Sequence, residues 1–310
     1  MNNQYRRLSR RKFLQVLALL GSASAGLPLA ARGSKSMLMK AIPSSGEKIP
    51  VIGMGSSGTF EVGNNQKARA KLTKVLQTFF DQGGTVIDTS PMYGSSEQVL
   101  GELLVNVQNT QSLFMATKVW TQGREEGIAQ MQRSMALLRR PILDLIQIHN
   151  LLDWETHWKT LRQWKQQGKV RYVGITTHRG YDHDQLQYVM ENYPIDFIQF
   201  SYSIANRKAE QRILPLAAER GIATMINRPF QRGDLFRSVK GKTLPAWAAD
   251  IDCNSWGQFF LKFVVSHPAV TCTIPATSKV HHMKDNMGAG FGRMPDQQQR
   301  QQMLDYFESL

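Results

Sequence analysis

TVIDTSPMYG, residues 85–94, is a short apolar run that stops on a carboxylate, Asp88, and then turns through Pro91 and Gly94. FMATKV (114–119) and LDLIQIHN (143–150) have the same form. Each is a β-like run rich in Val, Ile, Leu or Phe, and they end on Lys118 and His149. Tyr93 sits five residues after Asp88, inside the turn. A carboxylate, a phenol, an ammonium and an imidazole therefore stand at or just past the C-terminal ends of successive strands. In parallel α/β folds those ends are where chemistry is done.

The pattern continues outward from these runs. Apolar runs begin near 51, 85, 114, 143, 170, 196, 221 and 270. Helix-like stretches lie between them, for example 66–82, 127–139, 155–167, 208–220 and 255–266. Eight strand–helix units of steady length predict an α/β fold, a closed (β/α)8 TIM barrel. Ahead of it, MLMKAIPSSGEKIPV (37–51) reads as a β-hairpin turning at Ser44-Ser45-Gly46. The last interval is long because of an insertion over 230–253, which carries Arg232, Arg237, Lys240, Lys242, Phe236 and Trp247. A loop of that length in a compact domain is usually functional. A doubly wound sheet is the main rival. Gly53-Met54-Gly55-Ser56-Ser57-Gly58 fits the GxGxxG expression, but no acidic residue closes a second strand at the required distance.

The chain has 310 residues and a formal net charge of +14. Residues 1–31 carry Arg6, Arg7, Arg10, Arg11 and Lys12 and no acid, so the rest is at +9. No Lys/Arg run interleaves with aromatics, so nucleic acid is not expected as a partner. A moderate positive field suits an anionic cofactor or substrate. Cys253 and Cys272 form no metal or redox motif; they read as two buried thiols, with one disulfide the alternative in an oxidising compartment.

Residues 1–31 read as an address, leaving 32–310 as a single barrel domain. Ser9-Arg10-Arg11-Lys12-Phe13-Leu14 precedes a weakly apolar stretch softened by Gly21, Gly26 and Pro28. Small residues close it at Ala23-Ser24-Ala25 and Leu29-Ala30-Ala31. The segment resembles a twin-arginine export signal, which implies the twin-arginine machinery as partner and a periplasmic destination. A cytoplasmic or membrane-anchored protein is the weaker alternative. The stretch is too short and broken for a stable membrane span.

Strand alternation puts Phe114, Ala116 and Lys118 on one face and Leu145, Gln147 and His149 on another. If both faces point into the barrel, the four ionisable groups converge on one mouth. A close ammonium lowers the pKa of a phenol, a carboxylate keeps the ammonium charged, and an imidazole can hold a carbonyl oxygen. Such a set can deliver a proton to a C=O as negative charge develops. It still needs a hydride donor, and no side chain serves.

From the hairpin to its end the sequence resembles the aldo-keto reductase family. The resemblance rests on VIGMG (51–55), Asp88-Thr89-Ser90-Pro91-Met92-Tyr93-Gly94 with Ser96-Glu97, Ala116-Thr117-Lys118, and Asp144 to His149. It continues through Gly174-Ile175-Thr176-Thr177-His178, Ile198-Gln199 and Ile274-Pro275-Ala276-Thr277-Ser278 with Asn286. It implies NADPH-dependent reduction of an aldehyde or ketone, with a small-molecule carbonyl substrate. By resemblance Tyr93 is the general acid, Lys118 lowers its pKa, Asp88 pairs with Lys118 and His149 orients the carbonyl. The nicotinamide amide falls to Thr176 or Thr177 and to Gln199. The stretch from Thr277 to Asn286, including Ser278, falls where the family holds the adenosine and its phosphate.

There are departures from the family pattern. Asn227 occupies the place where an aromatic residue often stacks on the nicotinamide, and Tyr202 is considered as a substitute. Arg228 is placed on the pyrophosphate. Ala276 replaces a common basic residue, so Lys279 or His282 is expected on the 2′-phosphate; NAD(H) is the alternative cofactor. Trp120, two residues after Lys118, is expected on the wall of the substrate pocket, and Trp158 and Trp164 in packing.

Taken singly, Asp88 reads as a loop carboxylate, Lys118 as a solvated strand end, His149 as an ordinary polar residue and Tyr93 as a turn aromatic. Their joint occurrence at successive strand ends favours the enzyme. The competing reading is a dinucleotide-binding redox-sensing or regulatory subunit with little turnover.

Overall fold

The structure, a computed structural model, describes residues 36–177 and 183–310. Residues 1–31, read above as an export signal, lie outside the described residues, as does His178.

β1 (Met39–Ala41) pairs antiparallel with β2 (Lys48–Pro50). The turn between them closes through Ile42 N–H to Glu47 O, with Gly46 at a φ of 77°. That backbone favours glycine because no Cβ obstructs it. Eight parallel strands follow: β3 (Met54–Gly55), β4 (Val86–Asp88), β5 (Phe114–Val119), β6 (Leu143–Ile148), β7 (Val170–Thr176), β8 (Phe197–Ser201), β9 (Ala223–Asn227) and β10 (Cys272–Thr273). Each pairs with the next in sequence. Parallel bridges from Ile52 to Thr273 and from Gly55 to Ala276 join last strand to first and close the barrel.

Helices wrap this ring: α1 (Gln66–Asp81), α2 (Ser96–Leu103), α3 (Arg124–Leu138), α4 (Trp154–Gln166), α5 (His183–Asn192) and α6 (Ile213–Arg220). α7 (Asp234–Ser238) and α8 (Trp256–Val265) follow β9, and α9 (Val280–Gly288) and α10 (Gln297–Glu308) end the chain. α1 shows why these segments are helical. Asn65 caps it by accepting from Ala68 N–H at 3.0 Å, and Gly83, at a φ of 80°, follows its end. Leu72, Val75, Leu76, Phe79 and Phe80, spaced by three and four, form its buried stripe. Each such side chain contributes roughly 1.5–3 kcal/mol of burial. On α10 a capping box of Asp296 and Gln299 starts the helix, and Met303 and Leu304 dock it.

Two apolar layers result. One lies between strands and helices. The other fills the barrel with Val86, Phe114, Ala116, Leu145, Tyr172, Phe197, Ala223 and Met225, and includes Ile42 and Ile49 from the hairpin. Most of the strand residues in it come from the N-terminal ends of their strands, so the hairpin plugs the bottom. The alternation expected for β5 holds: Phe114 and Ala116 point inward.

The 230–253 insertion is folded rather than a bare loop. It contains α7 and a 3-10 turn at Ala246–Ile251, and it buries Leu235, Val239, Ala248 and Ile251. Cys253 and Cys272 are free and buried. Trp158 and Trp164 are packed under their helix. No helix among the described residues is long and apolar enough to cross a membrane.

Candidate active site

The inward positions of the strands become polar toward their C-terminal ends. Asp88 pairs in register with Ala116, and Lys118, Gln147 and Gly174 pair across β5, β6 and β7. Thr176 pairs with Gln199, and Ser201 with Asn227. One polar layer therefore sits directly above the apolar plug.

Lys118 is fully buried and donates from Nζ to both oxygens of Asp88, at 2.8 and 2.7 Å, and to Thr89 O at 2.8 Å. Tyr93 also shares a side-chain hydrogen bond with this ammonium. Asp88 Oδ1 also accepts from Gln147 Nε2 at 3.2 Å and Gln199 Nε2 at 2.9 Å. The Tyr93 ring lies over the ammonium, its centroid 5.2 Å from Nζ. His149 meets Tyr93 edge to face, with ring centroids 6.0 Å apart. The backbone sets up this convergence. Tyr93 N–H bonds Ser90 O, and Ser96 N–H bonds Tyr93 O, so the turn folds Tyr93 back over the strand ends.

Burial works against the Lys118 charge, but Asp88 and Tyr93 outweigh it and hold its pKa above the ordinary lysine value. For Tyr93 the balance differs from the sequence expectation. Burial raises its pKa above the usual 10.0, and the field of Lys118 recovers only part of the rise. The phenol is therefore firmly protonated at neutral pH, the state an acid requires.

A cavity of about 710 Å³ opens here. It is lined by Asp88, Tyr93, His149, Thr176, Thr177, Gln199, Asn227 and Arg228 among the expected residues. Asn227 is held by Ser201 Oγ at 2.6 Å and donates to Thr177 O at 3.1 Å and Gln199 Oε1 at 3.3 Å. Thr176 Oγ1 accepts from Asn150 N–H at 3.1 Å. Trp120, expected on the pocket wall, is not among the residues that line the cavity; it is 39 % exposed, its ring centroid 6.4 Å from that of His149. Thr277, Ser278, Lys279, His282 and Asn286 are not brought into this cavity. They follow Ile274, Pro275 and Ala276, the last residues of the chain to line it: Thr277, Ser278 and Lys279 lead into α9, His282 lies in its first turn and Asn286 near its end. There Thr277 and Asn286 are buried, and Ser278, Lys279 and His282 exposed.

Tyr202 is corrected. It lies one residue past the end of β8, and its hydroxyl bonds Glu210 at 2.5 Å and Arg300 at 2.9 Å, away from the cavity. It follows inward-facing Ser201, so alternation turns it out of the barrel.

Several residues at the site were not singled out from sequence. Ser90 Oγ lies 3.1 Å from His149 Nδ1. Glu97 is buried beside Lys118's neighbour, accepting from Thr117 Oγ1 at 2.5 Å and Ser134 Oγ at 3.0 Å. Burial raises its pKa, and those two hydroxyls oppose the rise. Ser56, Glu61 and Phe230 line the cavity, joined by Arg232 and Phe236 from the insertion the sequence marked as functional. Gln147 shared the His149 face in the strand pattern and was findable; the others depend on turn geometry. Among the described residues, no cluster of His, Cys, Asp and Glu could hold a metal ion.

Fold and site together define a barrel enzyme with one ionisable cluster at the C-terminal mouth of its strands. The chain belongs to the aldo/keto reductase family, whose model matches residues 51–302. It is 26% identical over 258 residues to methylglyoxal reductase YeaE of Escherichia coli (strain K12), covering 81% of this chain and 89% of that protein. It is also 26% identical over 248 residues to an NADH-specific methylglyoxal reductase of the same strain, covering 68% and 73%. Its fold matches an aldo-keto reductase from Klebsiella pneumoniae, solved in complex with NADPH. The TM-score is 0.73 at 20% identity, covering 87% of this chain and 96% of that one.

Proposed function

We propose that this protein reduces a small aldehyde or ketone to an alcohol with NADP(H), Tyr93 acting as general acid. The observation that carries the reading is the fully buried Lys118, bonded to Asp88 and lying under the Tyr93 ring, both of which line the cavity.

The cavity suits the cofactor. Ser56 Oγ and Thr177 Oγ1 line it, buried, with no hydrogen-bond partner among the described residues. Buried hydroxyls left unpaired are costly, and a carboxamide or ribose supplies partners. Thr176, Thr177, Gln199 and Asn227 would hold the nicotinamide end, and Arg228 the pyrophosphate. Thr277, Ser278, Lys279, His282 and Asn286 would hold the adenosine and its phosphate. When bound, NADPH supplies the hydride that no side chain can. NAD(H) is the alternative, since one relative is an NADH-specific enzyme.

The chain's own residues do the rest. His149 holds the carbonyl oxygen by a hydrogen bond. Tyr93 gives its proton to that oxygen as negative charge develops there. Lys118 stabilises the phenolate left behind, and Asp88 keeps Lys118 charged and in place. Trp120, beside His149, would border the substrate's approach. The relatives' names point to methylglyoxal as a first substrate. We also read 1–31 as a twin-arginine signal delivering the folded enzyme to the periplasm.

The test is NADPH oxidation by the purified protein with methylglyoxal and a panel of aldehydes. Tyr93→Phe is expected to lose at least about 100-fold in kcat, with cofactor affinity by fluorescence unchanged. A phenylalanine variant as fast as the parent removes Tyr93 from its role.

A further inference from the structure

We infer that Ser90 is a positioning residue for His149: its hydroxyl donates to Nδ1 and holds the imidazole as the tautomer with its proton on Nε2. The consequence for turnover rests on the proposed function; the tautomer does not.

The argument is a count of donors and acceptors. Ser90 is fully buried, so its hydroxyl has no water to turn to. A hydroxyl has one proton to give and two lone pairs. Met92 N–H donates to Ser90 Oγ at 3.2 Å and occupies one lone pair. The other neighbour of this oxygen among the described residues is His149 Nδ1, at 3.1 Å. If Nδ1 carried a proton, Ser90 would accept twice and its own proton would be buried without an acceptor. If Nδ1 is bare, the hydroxyl and Nδ1 are both matched: Met92 N–H gives to Ser90, and Ser90 O–H gives to Nδ1. Unmade buried hydrogen bonds are the expensive ones, so the second arrangement prevails.

The ring proton then sits on Nε2, making that nitrogen a donor. His149 lines the cavity beside Tyr93, and a donor is what a carbonyl oxygen there requires. The same bond disfavours the doubly protonated ring, because an imidazolium would set Nδ1–H against the serine proton. Ser90 also fixes the ring in space from within the turn that carries Tyr93. The acid and the orienting imidazole are thereby referenced to one piece of backbone, Ser90–Tyr93.

The test reads the tautomer directly. In 15N-labelled full-length protein without substrate, the His149 signals are assigned by their loss in His149→Gln. The parent is expected to show an unprotonated Nδ1 and a protonated Nε2. Ser90→Ala should move both shifts toward averaged values, and Ser90→Thr, which keeps the hydroxyl, should restore them. In steady-state assays Ser90→Ala should lose about tenfold in kcat, roughly the worth of one neutral hydrogen bond, with cofactor affinity unchanged. A protonated Nδ1 in the parent overturns the inference, as does a Ser90→Ala spectrum identical to the parent's. If Ser90→Ala does not fold, the parent spectrum still decides. If no variant reduces any carbonyl while the tautomer shifts as described, the proposed function fails and the serine–histidine bond stands.

Discussion

Lys118 and Asp88 form an ion pair at 2.7 Å with almost no solvent exposure. An ammonium with no solvent exposure is stable only because a carboxylate and a carbonyl take its protons. Removing one member leaves the other charge buried. Lys118→Met is therefore expected to destabilise by about 3–5 kcal/mol in urea unfolding. Adding Asp88→Asn should recover part of that, since the second charge goes too; strictly additive effects would show that the two ions are not coupled. The reason for Gly174 also appears at this scale. A Cβ there would lie 2.7 Å from Phe197 O and 3.1 Å from Gln147 Cγ, so the glycine lets Gln147 lie flat and reach Asp88. The ionisable groups were legible in the sequence because strand alternation is strict: Lys118 and His149 had to face the strand interior. The polar groups that hold them were less so. Ser90 reaches His149 only because the 88–93 turn folds back, and no periodicity encodes a turn's path.

Elements meet at one corner where three cations are held by backbone. Lys40 in β1 donates to Val265 O, His267 O and Val270 O at the end of α8, at 2.8, 2.9 and 2.6 Å. Cations are favoured there by the helix dipole. Lys262, on α8 itself, donates to Phe291 O and Arg293 O, tying that helix to the segment before α10. Arg300 of α10 bonds Phe263 O and Ser266 Oγ. Beside it lies half-buried His267, whose Nδ1 accepts from Ala269 N–H at 3.2 Å. Burial, reinforced by Arg300, lowers its pKa from 6.5 to about 4, with Glu210 opposing and Lys40 adding to the fall. Because the folded value is the lower one, this group's contribution to stability is complete above 6.5 and is lost as pH falls toward 4. Allowing for partial exposure, the loss is about 1–2 kcal/mol. The urea midpoint should therefore fall more steeply from pH 6.5 to 4 in the parent than in His267→Gln. Equal slopes would place the acid sensitivity elsewhere. None of these pairings was readable from sequence, since Lys40 and Val265 are distant in the chain and only barrel closure brings them together.

At the scale of the whole molecule, barrel closure links folding to the cofactor site. β10 bonds back to β3, so the ring is complete only when the last strand is in place. The cavity draws on β3, β4, β7, β8 and β9 and on the segment after β10. A dinucleotide site built from both ends of the barrel exists only in the folded chain. The steady strand–helix period made this architecture legible in advance, and it failed only where tertiary contacts override local pattern. β3 and β10, at the seam, shrink to two residues each, and the 230–253 insertion folds into α7 and a 3-10 turn. An export route that needs an unfolded chain would deliver an empty barrel to a compartment without free NADPH. A route that carries folded proteins would deliver a loaded one, and the Arg10-Arg11 segment is the feature that fits it. Cells expressing the full-length chain should then yield the protein outside the cytoplasm, shortened at its N-terminus, with nucleotide recoverable from the purified material. Replacing Arg10 and Arg11 together by lysine should hold it in the cytosol at full length. Full-length parent protein found in the cytosol with Met1 intact would refute the export reading, and the reductase would then draw on the cytoplasmic NADPH pool directly.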